Sequence, residues 1–441
     1  MLLRFEVENI MSFDETVEFN TFPSSKSHNL EWHKVPCGHV TALRMSAIYG
    51  PNGAGKSNLL ACLNLLKQMV LTERLGNVTF PDDLYFKFNK EKEGKPSELA
   101  IEFISNGQIY YYHIVFNRSE VSEEELYLCE KKEDVPLFIR KGNTINLSLI
   151  NIPDEEVKPL GDLLSKMIRP DMLLLSFLGN YYSQEFPIIA EAYRWIENLQ
   201  IVLPEMRMGY VSHYMDSDEN FSNYVNEIFP TLQSGIFKLE VRKEVINQDD
   251  AKGDIGFTRA IEDAKSHPGQ PIMFQKNMNS YVSNIVLEDN TLFLKTLLAI
   301  HKTPDGKEIE MPISLESDGT RRLIEYLPLL YWILREGRIF IVDEIERSIH
   351  PILIKTIISK ISESKEAKGQ IIFTTHESCL LDQDIFRPDE IWFAQKDVNQ
   401  STQLYPLSDF NIHRTANIEN GYLNGRYGAI PFLSNLADLK W

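Results

Sequence analysis

The sequence predicts a mixed α/β core joined to an antiparallel β-subdomain and carrying a helical insertion. Three observations predict it. An apolar run enters a glycine-rich loop and leaves it as apolar positions at helical spacing. Short alternating strands fill residues 97–140. Two continuous apolar runs, Arg338 to Val342 and Gln370 to Thr375, flank a helical stretch late in the chain.

Taken in order, Leu3, Phe5 and Val7 alternate with charged residues, a turn follows from Asn9 to Asp14, and Val17 and Phe19 alternate again, which reads as a β-hairpin. The polar segment Thr21 to Gly38 precedes an apolar strand, Ala42 to Tyr49, that runs into Gly50. Leu59, Leu60, Leu63 and Leu66 then recur at helical spacing. Leu99, Ile101 and Phe103, followed by Tyr110, Tyr112, Ile114 and Phe116, mark strands of an antiparallel sheet. From Pro153 to Gly235 the spacing becomes helical. Strand-like runs return at Phe237 to Val241, Ile285 to Leu287 and Leu292 to Ile300. A helix is expected from Gly319 to Arg335 and another from Pro351 to Ser364. The expected divisions are therefore residues 1–152, a helical insertion over 153–235 that supplies oligomer or partner contacts, and 236–441.

At 441 residues the chain is long enough for two or three folding units. Its four cysteines, Cys37, Cys62, Cys129 and Cys379, have neither a disulfide nor a four-thiolate spacing, which fits a reducing cytoplasm. No apolar run approaches the roughly 18 residues of a membrane span, so a cytoplasmic protein without a membrane partner is expected. The net charge of −18 gives nucleic-acid binding no general electrostatic support, though it leaves a local basic channel open. No heptad run is long enough for an extended coiled coil.

The chemistry is concentrated in a few places. The loop Gly50-Pro51-Asn52-Gly53-Ala54-Gly55-Lys56-Ser57 fits the phosphate-binding pattern in full. Its glycines let backbone amides turn toward phosphate oxygens, Lys56 reaches the outer phosphates, and Ser57 can ligate Mg2+ at the helix start. The apolar strand ending in Asp343 and Glu344 offers a metal carboxylate in Asp343 and a residue to orient and polarise water in Glu344. His376 follows the second apolar strand, and Ser317-Asp318-Gly319-Thr320 opens a helix whose N-terminus can face an anion. His33, Cys37 and His39 lack a fourth metal ligand and read as incidental. Arg321 and Arg322 read as solvated arginines or as contacts to phosphate or nucleic acid.

Phosphate loop, serine-glycine helix start, Asp-Glu strand and strand with histidine follow the order used by ABC-type ATPases. The resemblance implies ATP and Mg2+ as ligands, with Lys56, Glu344 and His376 in hydrolysis and Ser57 and Asp343 on the metal. It further implies that Ser317 and Gly319 of one copy close over ATP on the phosphate loop of another, and that Ser348-Ile349-His350-Pro351 communicates across that interface. Asn9 and Phe13, Glu125-Leu126, Leu137 to Arg140, Leu173 to Ser176, Glu316 to Arg322, Thr374-Thr375-His376 and Tyr422 to Pro431 extend the likeness over nearly the whole chain. It resembles the stand-alone prokaryotic AAA/ABC ATPases of anti-phage defence systems, the AriA-type and RloA-type ATPases, with a head of the SMC, RecF and OLD kind.

What this implies is an ATPase that forms at least a dimer, or a larger ring. It would hold or activate a separate nuclease-like effector and answer a phage-derived trigger, with nucleic acid left open as a further partner. The short stretch after His376 carries no acidic metal cluster, so the chain is expected not to cut nucleic acid itself. The other reading is a DNA-repair ATPase of the SMC and RecF kind. The signature lacks the second glycine and the glutamine of transporters, which leaves Asp318 and Thr320 without transporter roles. Neither Gln68 nor Gln108 makes a convincing glutamine loop.

Overall fold

The computed structural model describes residues 1–148, 154–204, 209–232, 235–247, 254–275, 282–413 and 415–430. The chain divides into two compact units. The first comprises Met1–Leu203, Gly337–Ile345 and Ile358–Trp441, and the second Pro204–Glu336 and Glu346–Ile357.

In the first unit a seven-stranded antiparallel sheet runs in the order Thr144–Leu147, Val135–Lys141, Val121–Leu128, Gln108–Phe116, Ser97–Ser105, Leu2–Glu8, Val17–Asn20. The opening hairpin forms as expected, with Phe5 opposite Phe19 and Val7 opposite Val17. A six-stranded sheet runs in the order Gln200–Val202, Ile339–Val342, Gln370–Thr374, Met45–Tyr49, Ile391–Lys396, Thr402–Pro406. Its strands are parallel except the last. Every residue of Met45–Tyr49 and Gln370–Thr374 is buried, the mark of parallel strands covered on both faces. The helix Lys56–Thr72 presents Leu59, Leu60, Leu63 and Leu66 to a core that also takes Phe103, Tyr112 and Phe138 from the antiparallel sheet and Ile341, Ile372 and Trp392 from the parallel one.

The expected strand from Ala42 to Tyr49 is two strands, Val40–Leu43 and Met45–Tyr49. The first pairs with Lys34–Cys37 and the second joins the parallel sheet. Arg44 makes the break: its buried guanidinium donates to the carbonyls of Ile361, Ser362 and Ala367, anchoring the corner where the chain changes partners.

The expected helical block does not behave as one body. Pro153, its first residue, lies outside the described residues. The helices Asp154–Met167 and Pro187–Asn198 belong to the first unit, where Trp195 stacks on Phe103 at 4.0 Å, and the chain then contributes the edge strand Gln200–Val202. The helices Val211–Ser217 and Glu219–Ile228 belong to the second unit, where Tyr214 meets Trp332 edge-on at 4.6 Å and Phe221 meets Tyr331 at 5.2 Å. Burial in two different cores divides a segment whose local periodicity is uniform.

The second unit is built on an antiparallel sheet. The strand Thr291–Lys302 pairs with Lys238–Val245 on one side and with Ser283–Glu288 and Glu308–Pro312 on the other, and Ile272–Phe274 extends the edge. A helix absent from the sequence reading, Ile255–Ser266, packs Phe257 and Ile261 with Ile285. The helix Asp318–Arg335 starts one residue before its expected position and buries Leu323, Ile324, Leu327 and Ile333. Among the described residues, no helix is long and apolar enough to cross a membrane.

Candidate functional site

Register brings the candidate residues of the first unit to one edge of the parallel sheet. Ile48 lies opposite Thr374 and Val342 opposite Phe373, so Gly50, Asp343 and Thr375 leave the sheet from neighbouring strands at the same, C-terminal end. Open α/β sheets bind ligands at that end.

The loop from Gly50 to Gly55 is close-fitted. A Cβ at Gly50 would lie 2.3 Å from the carbonyl oxygen of Ala394, and one at Gly55, where φ is +100°, would lie 2.0 Å from Thr402 Oγ1. Both positions therefore require glycine. Gly53 also has positive φ, at +77°, and Ala54 N donates to Pro51 O at 3.2 Å. Asn52, Gly53 and Ser57 are exposed, whereas Ala54 and Lys56 are buried. Lys56 Nζ donates to Gly50 O at 2.8 Å and Pro51 O at 3.2 Å, so the ammonium lies across the mouth of its own loop. A helix of 17 residues begins at Lys56, with Gly55 as its left-handed N-cap. Amides turned inward by positive-φ residues, a helix N-terminus and a cation form an anion cradle.

Asp343 is buried at the end of Ile339–Val342, and its amide donates to Val202 O at 2.9 Å. Glu344, half-buried, has φ of +49°, a conformation that β-carbon residues adopt at a cost. One hydroxyl holds both residues. Thr374 Oγ1 donates to Asp343 Oδ1 and accepts the Glu344 amide at 2.8 Å. The Ile345 amide then donates to Thr374 O at 3.2 Å. In the sequence Thr374 is marked only as part of the family-like stretch Thr374-Thr375-His376, with no task of its own. His376 itself is exposed just past that strand, while Thr375 is buried, with its amide on Ile48 O and its Oγ1 accepting the Glu377 amide.

Ser317 and Gly319 lie in the second unit. Ser317 caps the helix Asp318–Arg335, its Oγ accepting the Thr320 amide at 3.1 Å. Gly319 has no room for a side chain, because a Cβ there would lie 2.6 Å from Ser348 O. The serine-glycine turn and the Ser348 loop are thus packed backbone to backbone, and Ser348 is itself left-handed at φ +62°. Asp318 pairs with Arg321, and Arg322 pairs with Glu325 at 3.2 Å and lies over the Tyr326 ring at 4.9 Å. Arg322 is buried rather than solvated, and each arginine pairs with a carboxylate on its own helix.

His33 is a core residue. Its Nδ1 is 2.9 Å from the Glu390 carboxylate and its Nε2 faces Ser362 at 3.0 Å, all three residues being buried. Among the described residues, no group of three histidines, cysteines and carboxylates is arranged to hold a metal. Gln68 is exposed on the helix after the phosphate loop and Gln108 is exposed at the start of its strand. The last residue of the Tyr422 to Pro431 tail, Pro431, lies outside the described residues. Within the tail, Tyr422 and Tyr427 stack on Phe393 at 5.6 and 6.0 Å.

A family model described as "AAA domain, putative AbiEii toxin, Type IV TA system" matches residues 45–158 and 183–382. No curated protein matches the chain. Among solved structures, an Smc head bound to the C-winged helix domain of ScpA is 15% identical, with a TM-score of 0.44 and coverage of 92% of this chain and 97% of that one. The SMC head domain from Thermotoga maritima is 12% identical, with a TM-score of 0.39 and coverage of 93% and 99%. An Smc head with an extended coiled coil, bound to the C-terminal domain of ScpA derived from Pyrococcus furiosus, is 14% identical, with a TM-score of 0.42 and coverage of 92% and 96%.

Proposed function

We propose, from the premise that this chain belongs to the AAA-domain family described as putative AbiEii toxin, Type IV TA system, that it is the regulatory ATPase of a defence pair. ATP assembles its copies, and the assembly restrains or releases a separate toxic effector of nuclease type when a phage-derived trigger arrives. The observation that carries the ATPase half of this reading is the sheet edge that brings the glycine loop, Asp343 and Thr374 together. The toxin–antitoxin words of the family description support the defence half.

Each residue then has a task. The amides of the loop and the Lys56 ammonium bind the phosphates, with Lys56 exchanging the neutral carbonyls of Gly50 and Pro51 for ionised phosphate oxygens. The donor set fits Mg2+, which takes few protein oxygens and completes its shell with phosphate and water: the Ser57 hydroxyl is exposed at the helix start and the Asp343 carboxylate is fixed by Thr374. When bound, the ion would neutralise phosphate charge and align the terminal phosphate. Glu344 orients and polarises the attacking water, and its left-handed backbone is held by Thr374. His376 contacts the terminal phosphate, and Ser317 and Gly319 of a second copy complete the site.

The test is a phage challenge of cells carrying this gene with its genomic neighbour, with the neighbour alone, and with Lys56→Ala in place of the wild type. Plating efficiency should fall only for the intact pair. Equal plating in all three would sink the defence reading. ATP-dependent DNA binding by the purified chain, with repair defects in cells lacking it, would replace that reading with a repair ATPase.

A further inference from the structure

Ser12 and Thr402 lie outside the matched residues 45–158 and 183–382, yet they meet at the phosphate loop. Ser12 sits in the turn of the opening hairpin. Thr402 begins the last strand of the parallel sheet, just after the tight loop of residues 397–401 in which Asp397 Oδ1 accepts the amides of Asn399 and Ser401 at 2.8 Å each. Two bonds from backbone amides join these segments: Thr402 N donates to Ser12 O at 2.8 Å, and Asp14 N donates to the side-chain Oγ of Ser401 at 3.1 Å. Ser12, Asp14, Ser401 and Thr402 are all buried.

At their junction Thr402 Oγ1 lies 2.9 Å from both Ala54 O and Ser12 Oγ. A hydroxyl has one proton, and a carbonyl can only accept. Thr402 Oγ1 is the donor toward both, so its single proton is shared between Ala54 O and Ser12 Oγ. Ser12, by accepting from it, holds the Thr402 hydroxyl beside the loop carbonyl. In a trans peptide the C=O and N–H point to opposite sides. Pinning Ala54 O thus turns the Gly55 amide away from the hairpin, and the amide of Gly55 is one of those the loop offers to phosphate. Gly55 is glycine because Thr402 Oγ1 occupies the place of its Cβ.

We infer that Thr402, supported by Ser12, is a positioning residue for nucleotide. Its hydroxyl fixes the Ala54–Gly55 peptide in the phosphate-binding orientation, and this couples the loop to both hairpins. The inference rests on the reading of the loop as the ATP cradle.

The full chain, wild type and variant, is titrated with a fluorescent ATP analogue while its ellipticity is followed on heating. Thr402→Val keeps the side-chain shape and loses the donor, and should weaken binding about tenfold. Thr402→Ser keeps the donor and should stay within about twofold of wild type. Ser12→Ala should weaken binding about threefold, and combining it with Thr402→Val should add little, because Ser12 acts through Thr402. A folded Thr402→Val chain that binds as tightly as wild type, with only its melting midpoint lowered, overturns the inference. Should that variant not fold, unchanged affinity in Ser12→Ala overturns it equally. Failure of the loop reading looks different: the wild type does not bind the analogue, or Lys56→Ala binds it unimpaired.

Discussion

The phosphate loop and the serine-glycine turn are both glycine-dependent helix starts, but they are built for different work. The loop is gripped from outside. Thr402 holds its carbonyl, and Ala394 and Thr402 close on its glycines. The turn at Ser317 holds itself. Its serine caps its own helix, its glycine rests on Ser348 O, and Ser317 and Asp318 are exposed. A loop preorganised by remote parts of the chain can bind a small ligand alone, because the cost of ordering it is met in folding. In the function proposed above, that exposed helix start is the surface that meets a second copy.

Substitutions can break or sharpen that contrast. The largest effect is expected for Glu344→Gln. Turnover of ATP should fall by about a thousandfold while nucleotide affinity stays near wild type, since the phosphate cradle is untouched. Sedimentation should then show the assembled state accumulating with ATP. Loss of binding in this variant would mean that Glu344 belongs to the cradle instead.

Lys56→Ala should come next, with affinity for ATP falling about a hundredfold, equivalent to about 3 kcal/mol for charged hydrogen bonds. Equal ATP affinity in the Glu344 and Lys56 variants would erase the division between binding and turnover.

Thr374→Val leaves the buried Asp343 without its hydroxyl donor and the Glu344 amide without its acceptor. Turnover should drop about tenfold and unfolding should require about 2 kcal/mol less. A variant with full turnover would show that the carboxylates need no such pin.

The smallest effect on binding belongs to Ser317→Ala. ATP affinity of the dilute chain should move less than twofold, and stability should fall by about 1 kcal/mol through the lost cap. Turnover should nevertheless fall, and should do so most at concentrations where the wild type assembles. If dilute-chain affinity fell as far as in Lys56→Ala, the turn would be part of the phosphate site rather than a partner surface.

Much of this was readable one segment at a time. The alternation at Leu3, Phe5 and Val7 and the apolar runs before Gly50, Asp343 and His376 gave the hairpin and the parallel strands. Burial on one face or two writes itself into local periodicity, and loop chemistry writes itself into consecutive residues. The helical stretch after residue 153 shows the limit, since its period says nothing about which core each helix serves. His33, incidental by its spacing, shows the same limit from the other side: its partner is Glu390, far along the chain, which no local pattern reveals.

By itself, then, the sequence determined most of the elements, the glycine loop and the paired carboxylates, because each of these is encoded within a few neighbouring residues. Only tertiary structure decided what orients them. Thr374 reaches Asp343 across 31 residues, Thr402 reaches Ala54 across 348 and Ser12 across 390. A hydroxyl at such a distance carries no local pattern that marks it. Its role exists only once the sheet has closed and excluded the water that would otherwise satisfy it.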